Sequence, residues 1–254
     1  MFPIQMPRAG VLTALLWLSL STSPGLAEDL STLAPEDRQE IEKLLGKDLI
    51  VEALPPRALL APEQYLPQKT GGIVYEVRGK EKKPIEERHD ITVDASGKIT
   101  YEIKDVSRRE MSVGDLSHGG IVKEFDFDQD VVSTFNPPQP LILPGMAPGE
   151  SQTVKVAVSV ADIDDPTDED YDGELDIIYQ PLGSYRIEVP AGTFDADLIK
   201  WTYAGDIGPA DVKTTQYRFI AEGAGMVAMV EFRSVSAVLV YHENTKVGRL
   251  LKRN

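Results

Sequence analysis

Hydrophobic residues alternate with polar ones in short segments from Gly72 to the C-terminus, and this pattern limits the fold more than any other feature. A period of two places successive side chains on opposite faces of a strand. Turn signals separate the segments at intervals of roughly eight to twelve residues, and no helical spacing of any length interrupts them. The pattern argues against a βαβ fold and predicts an all-β domain: an antiparallel curved sheet that forms a half-barrel or barrel, with a sandwich as another solution. The clearest segments are 91–95, 99–103, 154–160, 185–189, 217–221 and 237–241.

The first residues have the layout of an export signal. Arg8 precedes the short apolar run 11–20, and small residues at 24–27 predict cleavage after Ala27. The apolar run is shorter than the roughly 20 residues that cross a bilayer, and no later stretch approaches that length. The chain contains no cysteine, which removes disulfides, thiolate zinc sites and the lipid-bearing cysteine of a bacterial lipoprotein. We therefore expect a periplasmic protein that is exported, cleaved and not lipidated, with no transmembrane segment in the mature chain.

A helical and proline-rich arm is predicted between the leader and the β domain. Pro35 at the first turn, acidic residues after it and Gly46 as a stop predict one short amphipathic helix. Prolines then break the segment 54–67, which is either a linker or an arm packed across the sheet. The predicted division is a signal peptide at 1–27, the arm at 28–71 and an antiparallel β domain at 72–254.

One long segment of the β domain, 135–151, is expected to be irregular. Its five prolines argue against a central strand, and the apolar triplet 141–143 is suited to covering other residues. Two interpretations remain at this point: a lid over a cavity, or a crossover that plugs one end of a barrel.

The overall charge narrows the range of partners. The formal net charge of −15 repels nucleic acid and anionic membrane surfaces, and it attracts cations. Much of the acidity is concentrated in the segment 162–176, where aspartates precede Gly173 with the spacing of the first half of an EF-hand loop. Position 12 of such a loop is Tyr179 instead of a bidentate glutamate, so the segment is either a weak calcium site or a hydrated hairpin tip. The candidate metal ligands are Asp168, Asp170, Asp172, Glu174 and Asp176.

Catalytic signatures are missing from the sequence. It contains no GxSxG, HExxH, Walker or dinucleotide-binding motif. The three histidines, His89, His118 and His242, are far apart, and Ser117 next to His118 would point to the opposite face of a strand. A pair of carboxylates acting on an envelope polymer has no local motif and stays a third possibility. The lack of catalytic motifs favours a binding protein over an enzyme.

Two segments near the C-terminus carry a family resemblance. The chain resembles the exported bacterial β proteins of domain-of-unknown-function family 3108 and its relatives over roughly residues 150–235. The resemblance implies a curved antiparallel sheet, similar to the half-barrels of periplasmic lipoprotein carriers, and it implies no known activity. The matching residues are Val189, Pro190, Ala191, Gly192, Thr193, Phe194 and Ala196 in a turn motif, then Gly223, Gly225, Met226 and Val227 in a second turn.

Large apolar side chains on the expected inner face either fill a core or line a ligand cavity. With the resemblance, the second possibility favours a non-catalytic periplasmic module that binds or carries a hydrophobic ligand or docks an envelope partner. The alternative is a structural or interaction protein of the envelope that uses the acidic loop for calcium-dependent or electrostatic contacts. The candidate cavity residues are Tyr101, Val158, Tyr185, Trp201, Tyr217 and Phe219.

Overall fold

The computed structural model describes residues 33–112, 120–237 and 241–253. The predicted signal peptide lies outside the described residues. Within them the chain forms two helices and thirteen strands. The helices are α1 (Pro35–Leu45) and α2 (Pro62–Tyr65); the strands are β1 (Ile50–Leu54), β2 (Gly71–Arg78), β3 (Ile85–Val93), β4 (Ile99–Ile103), β5 (Ser107–Ser112), β6 (Gly120–Asp126), β7 (Val131–Pro140), β8 (Gln152–Asp162), β9 (Glu169–Val189), β10 (Gly192–Ile207), β11 (Ala210–Ala221), β12 (Gly225–Ala237) and β13 (Tyr241–Arg253).

Strands β2 to β13 form a closed antiparallel barrel in which each strand pairs with the next along the chain. The ring closes where β13 pairs with β2, with Arg249 opposite Val77. The prediction of an all-β antiparallel domain with a short N-terminal helix is confirmed, and the closed barrel is the form that it takes. Where a short turn joins two strands, as between β9 and β10, consecutive pairing follows, since two strands joined by a tight turn can only be antiparallel neighbours.

The predicted turn motifs lie at two of these hairpins. Pro190 and Ala191 connect β9 to β10, and Gly192 begins the return strand with a φ of 131°. Gly223 and Gly225 have φ values of 71° and 76° between β11 and β12, a conformation that glycine adopts at little steric cost. Both motifs therefore act in forming hairpins.

Strand β1 was not predicted, because it lies inside the proline-rich arm. It pairs with the last part of β9, where Ala53 is opposite Tyr185 and Leu54 is opposite Ser184. Strand β8 reaches only as far as Tyr179 on β9, so β1 occupies the edge that β8 leaves free. The arm is thus packed on the sheet and is not a linker.

Helix α1 covers the outer face of the barrel wall, so that this part of the wall is buried on both sides. Its Ile41 and Leu45 are almost fully buried among residues of β9 to β13. Asp37 accepts hydrogen bonds from Lys200 Nζ and the Tyr217 hydroxyl, each at 2.7 Å. Since successive strand residues point to opposite faces, the neighbours of the residues under α1 face the barrel interior.

No helix in the described parts of the chain is long and apolar enough to cross a membrane.

One end of the barrel is closed by two segments that we call the plug: residues 55–67 of the arm and 141–147 of the crossover. The Leu59 amide donates to the Met146 carbonyl at 2.9 Å, and the Gly145 amide donates to the Leu59 carbonyl at 2.9 Å. The buried plug residues join the barrel interior in one hydrophobic cluster: Leu59, Tyr65, Leu66, Ile142, Leu143 and Met146. The position of the crossover agrees with both interpretations, because it covers one end of the barrel and its Leu141 and Ile142 also line the interior cavity.

A buried carboxylate fixes the plug to the barrel. Asp197 on β10 is 1% exposed and accepts hydrogen bonds from Arg57 (Nε to Oδ1 3.0 Å), the Tyr65 hydroxyl (2.6 Å to Oδ2) and the Ser184 hydroxyl (2.7 Å to Oδ1). This contact raises the pKa of Arg57, and burial together with the same carboxylate raises the pKa of Tyr65. Both groups therefore stay protonated as donors.

The sequence led us to expect no strand among the prolines of the crossover, but the structure contains one. Strand β7 continues to Pro140, but its pairing with β8 ends at Asn136. Beyond that residue β7 is paired only with β6, where Gln139 is opposite Ile121. Proline lacks an amide hydrogen and is tolerated where one side of a strand has no partner.

Candidate functional site

The barrel encloses a cavity of about 420 Å³ between the plug and the turns at the opposite end. Much of its wall is hydrophobic, with aliphatic and methionine side chains from strands on both sides of the barrel. Several charged side chains also reach it, which is unusual for the interior of a barrel that only fills a core. The hydrophobic part of the wall includes Ile73, Ile91, Met111, Ile121, Ile220 and Met226.

Strand periodicity explains why charged residues face the cavity. On β3, Glu87 and His89 have the same parity as the buried Ile91, so all three lie on one face. On β11, Arg218 has the parity of the buried Ile220, whereas Phe219 between them belongs to the cluster under α1. The charged groups are therefore built into the inner face and are not surface residues that fold inward.

The first polar group in the cavity joins two strands, β3 and β13. Glu87 Oε1 lies 2.8 Å from His89 Nε2 and accepts a hydrogen bond from Arg249 Nε at 2.6 Å. Burial alone would raise the pKa of Glu87, but the hydrogen bonds from His89 and Arg249 and the charge of Arg249 lower it to about 2. Burial lowers the pKa of His89, although Glu87 acts in the opposite direction. At neutral pH this group is an ion pair beside a neutral imidazole.

The second polar group lies on the wall formed by β5 and β6. Arg109 donates to Glu124 Oε1 from Nε at 2.7 Å, and its Nη2 lies 2.6 Å from the same oxygen. The negative charge of Glu124 raises the pKa of Arg109, which keeps the guanidinium charged. Each of these two glutamates is thus matched by an arginine.

The third group contains an arginine without such a match. Arg218 lies with its guanidinium carbon 3.8 Å from the centre of the Trp201 ring, and its Nε donates to Gln216 Oε1 at 2.6 Å. Within the described residues Arg218 forms no ion pair with a carboxylate; Gln216 hydrogen-bonds both Arg218 and Glu231, and the charge of Glu231 acts on Arg218 without direct contact. Burial, followed by the like charge of Arg109, lowers the pKa of Arg218 to about 10. The side chain is still charged at neutral pH.

The structure divides the candidate cavity residues between the two faces of the wall. Tyr101 lines the cavity, and Val158 and Trp201 lie in the hydrophobic cluster of the barrel interior. Tyr185, Tyr217 and Phe219 lie in the other cluster, under α1. The sequence reasoning missed Arg218, Arg109 and Glu124, because a charged residue between two aromatic or polar neighbours is read as solvent-facing.

The acidic segment forms the hairpin between β8 and β9, and it is extended. Asp168 is in the turn, and the other candidate ligands, Asp170, Asp172, Glu174 and Asp176, lie along β9. Lys155 on β8 contacts Glu174 at 2.6 Å and Asp176 at 2.9 Å. In the described part of the chain no group of three or more His, Asp or Glu is arranged to hold a metal ion.

Gly173 does not make a loop turn as a calcium motif would require. It is paired with Val158 on one side and Ile207 on the other. A Cβ atom at this position would lie 2.1 Å from the Asp206 carbonyl oxygen, so the close approach of β10 requires glycine here. Calcium binding by this segment stays a prediction of the sequence, and a thermal-shift titration with millimolar calcium tests it.

The three histidines lie in separate segments of the chain. His89 lies in the cavity with Glu87, and His242 belongs to β13, opposite Ser236. His118 lies outside the described residues.

Together the fold and the site define an up-and-down antiparallel barrel with a plugged end and a partly charged interior cavity. No family model matches the chain, and none of the curated proteins matches it, so the resemblance to family 3108 stays a prediction. One similar solved structure is a protein of Bacteroides fragilis described as exported and as having a YmcC-like fold; it is 13% identical, covers 78% of this chain and 99% of its own, and has a TM-score of 0.41. Another is a protein of Parabacteroides distasonis described as a lipoprotein; it is 11% identical, with the same coverage and a TM-score of 0.37.

Proposed function

We propose that this protein is a non-catalytic periplasmic module that binds or carries a hydrophobic ligand inside its barrel. The observation that carries the proposal is the cavity of about 420 Å³ with its largely hydrophobic wall. Ligand cavities are typically about 300–1,000 Å³, mostly hydrophobic, with a few polar groups that fix orientation. The predicted leader supports the periplasmic location.

The state of the cavity carboxylates supports binding rather than catalysis. A general acid of the kind that cleaves glycosidic bonds needs a raised pKa. Glu87 has its pKa lowered to about 2 by its partners, and Glu124 is held by Arg109. Glu87 and Glu124 are thus engaged in ion pairs that fix the wall; the other two acidic residues of the lining, Asp126 and Asp128, lie at the end of β6 and in the turn after it.

The uncharged fluorescent probe N-phenyl-1-naphthylamine is expected to bind the purified protein at a ratio of one to one. Ile121→Trp and Ile91→Trp each place a larger side chain into the cavity, since both residues are buried and line it. We expect each substitution to reduce probe affinity at least about tenfold, because filling the space removes the hydrophobic contacts of the probe. Fluorescence titration measures this.

Val51→Trp is the matched control, because Val51 is 57% exposed on β1, far from the cavity wall. Circular dichroism and the melting temperature show whether each variant is folded. Probe binding that is the same in the wild type and in both folded cavity variants would mean that the probe binds elsewhere and would contradict the proposal.

The alternative function, an envelope interaction protein, is supported by one feature. Asp172, Glu174 and Asp176 alternate along the exposed face of β9 and present a row of carboxylates beside Lys155. Such a row suits a cationic partner surface or loosely held calcium. Loss of a partner on changing Asp168, Asp170 and Asp172 to asparagine would favour this alternative over the carrier.

A further inference from the structure

The sheet register places Arg218 in a row of inward-facing side chains that crosses four strands, β11, β12, β13 and β2. Arg218 is opposite Met229, Met229 is opposite Arg249, and Arg249 is opposite Val77. Directly opposite residues of antiparallel strands have their Cβ atoms about 4.5–5.5 Å apart. The two arginines are therefore separated by one methionine, and a ligand contacting one of them also contacts hydrophobic wall.

The two arginines of this row differ in their counterions. Arg249 is neutralised by Glu87, with contacts at 2.6 and 3.2 Å. Arg218 is stacked on Trp201 and bonded to a neutral amide, and within the described residues it forms no ion pair with a carboxylate. The charged groups that act on Arg218 are Arg109, which disfavours its charge, and Glu231, which favours it from beyond Gln216.

A partly buried guanidinium without a directly bonded carboxylate is costly, because burial removes some of the water that would solvate its charge. Burial lowers the pKa of Arg218 for the same reason. Apolar surface surrounds it, since Ile199 on one side and Met229 on the other are its cross-strand neighbours. A guanidinium in this setting presents its remaining N–H groups to an oxyanion, and the hydrophobic wall receives an alkyl chain.

We infer that Arg218 binds the anionic head group of an amphiphilic ligand, a single carboxylate or phosphate attached to an aliphatic chain that lies in the cavity. The inference rests on the proposed function and narrows its ligand from hydrophobic molecules in general to singly charged anionic amphiphiles. The ring of Trp201 stacks on the guanidinium of Arg218, and the Arg218 Nε donates to Gln216. The two terminal nitrogens of the guanidinium are left to bind the ligand.

Displacement of bound N-phenyl-1-naphthylamine by three twelve-carbon competitors tests the head group. Dodecanoate supplies a carboxylate, dodecyl phosphate supplies a phosphate, and dodecanol supplies the same chain without charge. We expect one or both anions to displace the probe at about 10- to 100-fold lower concentration than dodecanol, because a hydrogen bond to a charged group contributes about 1.5–3 kcal/mol. The anion that is stronger identifies the head-group chemistry.

Arg218→Met removes the charge and keeps a side chain of comparable length. We expect this variant to bind the neutral probe and dodecanol as the wild type does, and to lose the preference for the anions. Arg88→Met is the matched control, because Arg88 lies on the outer face of β3 and its side chain is 66% exposed. Arg88→Met removes one positive charge, as Arg218→Met does, but it should leave the preference for the anions over dodecanol unchanged. Arg218→Lys, which keeps a charge but loses the fork, should retain only part of the preference.

The outcomes separate the inference from the proposed function. If the neutral probe does not bind the wild type at all, the proposed function fails and the inference fails with it. If the probe binds but the anions and dodecanol compete equally, or if folded Arg218→Met keeps the anion preference, the inference alone is overturned. A preference lost in Arg218→Met and kept in Arg88→Met supports it.

Discussion

Asp197→Ala is expected to lower the free energy of unfolding by about 3 kcal/mol, because a buried group left without its hydrogen-bond partner costs about 1–3 kcal/mol and two hydroxyl groups lose their acceptor. Asp197 is 1% exposed and accepts hydrogen bonds from three side chains that belong to the plug and to β9. Its removal leaves the Tyr65 and Ser184 hydroxyls without their acceptor in a buried site. Urea unfolding followed by tryptophan fluorescence measures the loss.

Asp195→Ala is the control, since Asp195 is two residues away on the same strand but lies in an exposed ion pair with Arg186. Exposed ion pairs contribute about 0–1 kcal/mol. Equal losses for the two variants would show that the carboxylate of Asp197 does not anchor the plug. We also expect Asp197→Ala to expose the plugged end, which limited proteolysis of residues 55–67 would detect.

Glu87→Gln is expected to remove about 3 kcal/mol of stability at pH 7, because a pKa of about 2 in the folded protein lies well below the ordinary value of 4.5. A carboxyl group with a lowered pKa contributes stability above its unfolded pKa, and the contribution is lost as the pH falls from about 4.5 toward 2. The wild type should therefore lose stability steeply in that window, and Glu87→Gln should lose less.

His89 adds a second window at higher pH. Its folded pKa is lowered from 6.5, so the unfolded chain takes up a proton first and stability begins to fall as the pH drops below about 6.5. Glu86→Gln is the matched control for both windows, because Glu86 is the exposed neighbour of Glu87 on the outer face of β3. Acid-unfolding curves of equal slope for the wild type and Glu87→Gln below pH 4.5 would rule out this account of the cavity ion pair.

The alternation of residues was sufficient to predict the strands of the barrel, since a segment such as 99–103 can bury only one face. The turn residues fixed the hairpins, as at Pro190 and Gly192. Barrel closure was not predictable, because pairing of β13 with β2 depends on contacts between residues about 170 positions apart in the chain. Strand β1 was missed because it is short and lies between prolines.

The site was harder to predict than the fold, and α1 is the physical reason. The sequence offers Tyr217 and Phe219 as the inner face of β11, which makes Arg218 a solvent-facing residue. Because α1 covers the outer face of this wall, the aromatic residues lie under the helix, and Arg218 faces the cavity. Alternation shows which residues share a face, but it does not show which face points inward. On β3 the sequence did contain a signal for the charged cavity residues, since Glu87 and His89 alternate in step with Ile91 and therefore lie on the same face.

The central claim is that the barrel holds an amphiphilic anion, and native mass spectrometry of the protein purified from the cells that naturally produce it tests it most directly. We predict a species heavier than the unliganded protein by the mass of one ligand, which negative-ion fragmentation identifies as a carboxylate or phosphate with an aliphatic chain. The same adduct should be missing from Arg218→Met and retained by Arg88→Met. Protein that carries no adduct under conditions gentle enough to keep known lipid complexes intact, or an adduct without an anionic group, would contradict the account.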